Sequence, residues 1–167
     1  MDFNISDTSI RGDNFRRIEK RLVKNKNELT CQMTRTLYDW WSSYTPDFPS
    51  RSDFDIIKVP TLASNIYLVE VLGPGKYLYR LCGETVGHLV GHAYRMVEIS
   101  LDSPKIEDST FAKYLDDLIA NRAACSCSGD LAFFEKDFLS FESFDCPLAD
   151  ETGTITHFIG VMCELPK

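Results

Sequence analysis

Two hydrophobic rhythms follow one another along the chain. Residues 1–13 carry neither and read as a frayed tail. From Asp13 the apolar positions Phe15, Ile18 and Leu22 recur at three- and four-residue intervals among Arg16, Arg17, Lys20, Arg21 and Lys24, which predicts a first helix. After a break at Lys24-Asn25-Lys26-Asn27, a stripe of Leu29, Met33, Leu37, Trp40 and Trp41 predicts a second helix over Glu28–Ser43. Thr45-Pro46-Asp47-Phe48-Pro49 ends it, because proline cannot continue a helix. Asp55 is a cap candidate for a short helix over Ile56–Leu62.

The rhythm then changes. Ile66–Leu72 and Tyr77–Cys82 are strand runs joined by Gly73-Pro74-Gly75, a hairpin signature. Gly83, Gly87 and Gly91 punctuate a short helical stretch over Glu84–Val90. Ser109–Asn121 is the cleanest helix: Phe111, Tyr114, Leu115, Leu118 and Ile119 share one face, with Lys113, Asp116 and Asp117 on the wet side. Three further strands are predicted at about 126–134, 138–148 and 154–164, joined by short turns. Strands at both ends with helices between exclude a doubly wound parallel sheet. The prediction is an α+β fold, one five-stranded antiparallel sheet with helices across one face. The N-terminal helices must cover the other face or a partner chain.

Composition narrows the class. A chain of 167 residues with 44% hydrophobic and 26% charged positions is one ordinary globular domain. At this size roughly 70% of the unfolded surface is buried without help from a metal or disulfide. No apolar run reaches the roughly 20 residues of a membrane span, and no signal peptide opens the chain, so a cytoplasmic protein is expected. The net charge of −7 disfavours nucleic acid as a partner. That charge is uneven: residues 1–27 carry +3 and the remainder −10. Six cysteines scattered through hydrophobic segments read as reduced and buried.

The element order resembles that of a PAS domain, and several segments resemble short single-PAS proteins of the alphaproteobacteria that carry an N-terminal helix. The pieces are Leu37-Tyr38-Asp39-Trp40-Trp41, Pro49-Ser50-Arg51-Ser52-Asp53, Asn65–Val71, Tyr79-Arg80-Leu81-Cys82-Gly83, Gly91, Glu142 with Pro147-Leu148-Ala149-Asp150, and Gly160. The chain departs from that pattern at Ile56, where proline is usual, and at Ala93, Arg95 and Met96 after Gly91. The resemblance implies strand order 2-1-5-4-3, counted from the strand at 65–72. It divides the chain into a flexible tail (1–14), an N-terminal helical segment (15–46) and a PAS domain (47–167). It also implies a sensory or regulatory module whose output passes through a partner signalling protein.

Candidate chemistry is sparse. His88 and His92, four apart with Glu84 four before, sketch a metal site, but such a pair reads more simply as surface histidines at a glycine-rich bend. Cys125 and Cys127 share a strand face and read as packed thiols. The long helix lacks the histidine that haem-binding PAS domains place there, and no Gly-x-Asn-Cys-Arg-Phe-Leu-Gln run follows Tyr79–Gly83. Haem and covalent flavin are therefore disfavoured, and no metal is expected. A small-molecule cavity is expected between the long helix and the sheet. Its candidate lining is Phe111, Tyr114, Leu115 and Leu118 from the helix, facing Tyr79, Leu81, Phe141 and His157 from the strands. The competing reading is a small α+β enzyme with a pocket around His157; a third is a ligand-free interaction scaffold. Arg51 and Asp53 form an interaction or capping loop. The stripe Leu29, Met33, Leu37, Trp40 and Trp41 needs a cover, and a homodimer through residues 15–44 supplies one.

Overall fold

Alternation of side chains across a strand gives a sheet two faces, and here both are covered. The computed structural model describes residues 15–133 and 136–166. Its seven strands are β1 (Phe15–Leu22), β2 (Ile66–Gly73), β3 (Lys76–Cys82), β4 (Glu98–Ser100), β5 (Cys125–Phe133), β6 (Lys136–Ala149) and β7 (Ile155–Glu164). Three helices accompany them: α1 (Gln32–Ser42), α2 (Glu84–Val90) and α3 (Ile106–Asn121). All strand pairs are antiparallel, in the order β1-β5-β6-β7-β2-β3-β4. The five expected strands stand in the middle in the expected order, with β7 central and β2 beside it; β1 and β4 extend the sheet at its two edges.

The first expected helix is a strand. Residues 15–22 pair with β5 instead of coiling. Ile18 and Leu22 are four apart, a spacing that serves a helix face and a strand face equally, since four is also a multiple of two. Ile18, Lys20 and Leu22 share the inward side, and Glu19 and Arg21 point outward. Residues 1–14, the expected tail, lie outside the described residues. The second helix is shorter than expected: a 3₁₀ turn at Lys26–Glu28 precedes α1. The expected helix over Ile56–Leu62 is two 3₁₀ turns, the first capped by Asp55, whose carboxylate accepts from the Ile57 amide at 3.0 Å.

On the inner face, α2 and α3 pack Val86, Leu89, Ala112, Leu115 and Leu118 against Val69, Tyr77 and Phe158. On the outer face, Leu29 and Leu37 meet Ile66, Leu68, Phe144, Leu148, Ile159 and Val161, with Met33, Trp40 and Trp41 half-buried alongside. The Trp41 indole donates to the Pro147 carbonyl at 2.9 Å. The apolar stripe thus takes the first of its two available covers, the outer face of the chain's own sheet. Replacing the half-buried Met33 by alanine is expected to lower stability by about 1–2 kcal/mol through lost packing. Urea unfolding reads that loss, and sedimentation equilibrium is expected to give the same mass for both proteins.

Asp116, expected on the wet side of α3, instead holds the β2–β3 turn. Its carboxylate accepts from the Gly75 amide at 3.1 Å and from the Tyr77 hydroxyl. Gly75 sits at φ +70, which a glycine adopts without strain.

Candidate functional site

The inner face carries one row of partners across the sheet. Register sets Asp145 on β6 opposite Gly160 on β7, and Gly160 opposite Tyr67 on β2. A Cβ atom at Gly160 would lie 2.2 Å from the Tyr67 ring, so glycine is what lets that ring lie flat across β7. Tyr67 reaches over it, and its hydroxyl donates to one oxygen of Asp145. From the opposite layer, the Tyr114 hydroxyl of α3 donates to the other oxygen at 2.7 Å. Asp145 is 1% exposed.

Above this carboxylate lies a cavity of about 100 Å³. Its wall is aromatic. Tyr79 and Phe111 stack with ring centroids 6.1 Å apart, Phe111 and Tyr114 at 5.7 Å, and Tyr67 meets Phe111 edge-on at 6.4 Å. Tyr94 closes one side, its hydroxyl donating to Asp108 at 2.6 Å. Lys20 of β1, Glu107 and Asp108 also border the space. The Lys20 ammonium stands 5.7 Å from the centre of the Tyr114 ring.

Electrostatics follow from burial. Desolvation pushes the Asp145 carboxyl up to about 6, against the pull of the Tyr67 and Tyr114 hydrogen bonds. The same desolvation, reinforced by the Asp145 charge, holds the Tyr67 and Tyr114 phenols well above their ordinary range. Tyr79 is raised likewise, first by burial and then by Tyr94.

Of the eight residues proposed for the cavity, Tyr79, Phe111, Tyr114 and Phe141 border it. Leu115 and Leu118 lie deeper, packed in the core beneath α3. His157 and Leu81 are corrected: they stand on the outer face, in a surface recess with Arg51, Leu68, Glu70 and Arg80. Strand parity turns His157 out, because Phe158 and Met162 face inward; Leu81 is turned out by a bulge in β3, where Leu81 and Tyr79 stand opposite the consecutive residues Leu68 and Val69. There the imidazole pKa is lowered by burial, with Glu70 opposing and Arg51 and Arg80 adding to the effect. Its Nδ1 pairs with the Thr156 hydroxyl at 2.8 Å. Asp53 is a capping residue, its carboxylate accepting from the Ser50 amide at 2.7 Å. Arg51 opens the same turn. His88 and His92 border a separate recess beside α2. Among the described residues no group of three or more His, Cys, Asp or Glu converges to hold a metal, and no helix is long and apolar enough to cross a membrane. Tyr67 and Asp145 were not singled out from sequence. The available signal was Gly160, a lone glycine inside a strand run, which marks a close approach by another group.

No curated protein matches the chain. Among solved structures, an RNA-binding light-oxygen-voltage receptor is 15% identical with a TM-score of 0.50, covering 88% of this chain and 38% of that one. The PAS domain of BvgS from Bordetella pertussis is 15% identical with a TM-score of 0.48, over 70% of this chain and 88% of that one. A light-oxygen-voltage domain described with a flavin analogue is also 15% identical, TM-score 0.47, over 69% and 87%. The family model for the PAS domain matches residues 29–163, from just before α1 to the penultimate residue of β7. With that match over most of its length, and with the five-strand order and flanking helices described above, the chain belongs to the PAS domain family.

Proposed function

We propose that the protein is a non-enzymatic sensory module: a small molecule enters the aromatic cavity, and a partner signalling protein reads the change. The observation that carries this is the cavity itself. It is a concave, mostly aromatic space of about 100 Å³ with a few convergent polar groups, the form that small-molecule sites take. Pockets for drug-sized molecules run to roughly 300–1,000 Å³, so a space of about 100 Å³ supports a compact ligand over haem or flavin. The enzyme reading around His157 has less support, because that side chain stands outside the cavity and far from Asp145 in the layering of the fold. A homodimer through residues 15–44 would use what the sheet leaves uncovered of α1, where Met33, Trp40 and Trp41 are only half-buried.

Thermal melts across a library of small neutral, anionic and cationic compounds test the sensor reading. A ligand at a hundredfold over its Kd adds about 2.7 kcal/mol, or roughly 5–10 °C for a domain of this size. At least one compound is expected to produce such a shift, and Phe111→Trp, which fills the cavity, is expected to remain folded and lose it. A library with no stabilising compound, or a Phe111→Trp protein that responds as before, overturns the reading.

A further inference from the structure

We infer that the cavity is built for a small organic cation, an amine or quaternary ammonium of about five heavy atoms. This rests on the sensor reading above and gives its ligand a chemistry. Three observations converge. The first is a buried negative charge without a counter-charge. Both oxygens of Asp145 are taken by tyrosine hydroxyls, and among the described residues no lysine, arginine or histidine forms an ion pair with it. A carboxylate held this deep is strongly disfavoured unless a cation approaches it.

The second is the wall. Tyr67, Tyr79, Phe111 and Tyr114 surround the space, and the faces of such rings attract cations, most strongly when water is excluded. The protein already uses one of these rings in that way, with the Lys20 ammonium over Tyr114. The third is the border, where Glu107 and Asp108 outnumber Lys20 and favour entry of positive charge over negative. The volume calls for a compact ligand: about 100 Å³ is two-thirds of the roughly 150 Å³ apolar cavity that holds the six heavy atoms of benzene, which points to roughly four to five heavy atoms, with a fully methylated ammonium as the upper bound.

The test compares three compact branched probes: tetramethylammonium and neutral tert-butanol, with five heavy atoms each, and anionic pivalate, with seven. Each is titrated into the full chain and followed by NMR of the aromatic side chains. Tetramethylammonium is expected to give saturable shifts at the Tyr67, Phe111 and Tyr114 rings and to bind at least tenfold more tightly than either of the others. Asp145→Asn, which keeps shape and hydrogen-bonding capacity while removing the charge, is expected to weaken tetramethylammonium at least tenfold and leave tert-butanol unchanged. Should that variant fail to fold, Phe111→Leu removes a ring and keeps the carboxylate, and the same selective loss is expected. Tert-butanol or pivalate binding as tightly as tetramethylammonium overturns the cation assignment while the sensor reading stands. Silence from all three probes overturns it too. The library melts then decide separately whether any ligand is sensed.

Discussion

Asp145→Asn is expected to be more stable than the parent protein at pH 8, by about 3 kcal/mol. The reasoning is linkage. The folded-state carboxyl titrates at about 6 against 3.8 for the ordinary group, because burial opposes ionisation more than the two tyrosine hydrogen bonds favour it. An acid whose pKa is raised by folding binds more protons in the native state than in the unfolded one. Stability is then full below 3.8 and is lost as pH rises through about 6. The difference of about two units corresponds to about 3 kcal/mol once ionisation is complete. Asparagine removes this term. Its carbonyl accepts from one tyrosine hydroxyl and its amide donates to the oxygen of the other, so neither phenol is left unsatisfied.

The advantage of the variant is expected to shrink to about 1 kcal/mol at pH 4.5, where much of the cost in the parent is already relieved. Asp150 works in the opposite sense. Hydrogen bonds, chiefly from Thr152, hold its carboxyl low, so its contribution is lost as pH falls. It is present in both proteins and cancels in the comparison. Urea unfolding of the two proteins at pH 4.5 and pH 8 measures the gap. A variant less stable than the parent at pH 8, or a gap that does not change with pH, contradicts this account of the site.

That site was hard to read from sequence for a definite reason. In a sheet with one wet face, alternation of apolar and polar residues tells which side is inward. Here both faces are covered, and β6 runs Phe141-Glu142-Ser143-Phe144-Asp145-Cys146 with a phenylalanine and a carboxylate on each side. No parity rule separates those faces, so the sequence alone does not choose between His157 and Asp145 for the cavity; Leu81 shares the parity of the inward Tyr79, and only the bulge in β3 turns it out. The strands themselves were legible, since their apolar runs and glycine turns do not depend on which face is wet. So were the α3 face that brings Phe111 and Tyr114 to the cavity and the stripe on α1. The strand at 15–22 was missed because its paired spacing suits two periods, and only its antiparallel partner β5 settles the choice. Tyr67 lay inside a run read simply as strand, and its polar partner came from 78 residues away, a separation that no local pattern reports.

Glu142→Ala is expected to cost about 3–5 kcal/mol and to act first on α1. Glu142 sits on the outer side of β6, 4% exposed, three residues before Asp145 on the inner side. Its carboxylate accepts from the Thr30 amide at 2.9 Å, the Cys31 amide at 2.9 Å and the Thr34 hydroxyl. These donors are at the start of α1, where backbone N–H groups have no partner within the helix and the helix dipole favours negative charge. Hydrogen bonds to a charged acceptor contribute roughly 1.5–3 kcal/mol each, and the total stays below their sum because water reaches the exposed Thr30 once the carboxylate is gone. Both tryptophans of the chain, Trp40 and Trp41, lie on this helix, so their emission reports its docking while far-UV circular dichroism reports the sheet. In the parent the two signals are expected to change together on urea addition. In the variant the emission is expected to shift to longer wavelength at a lower urea concentration than the loss of the β signal. Glu142→Gln, with one acceptor oxygen and no charge, is expected to fall between them. Coincident transitions at the parent midpoint would show that the α1 start is held by its apolar contacts alone. A separation of the two transitions would identify β6 as the strand that ties the cavity carboxylate on one face to the helix on the other.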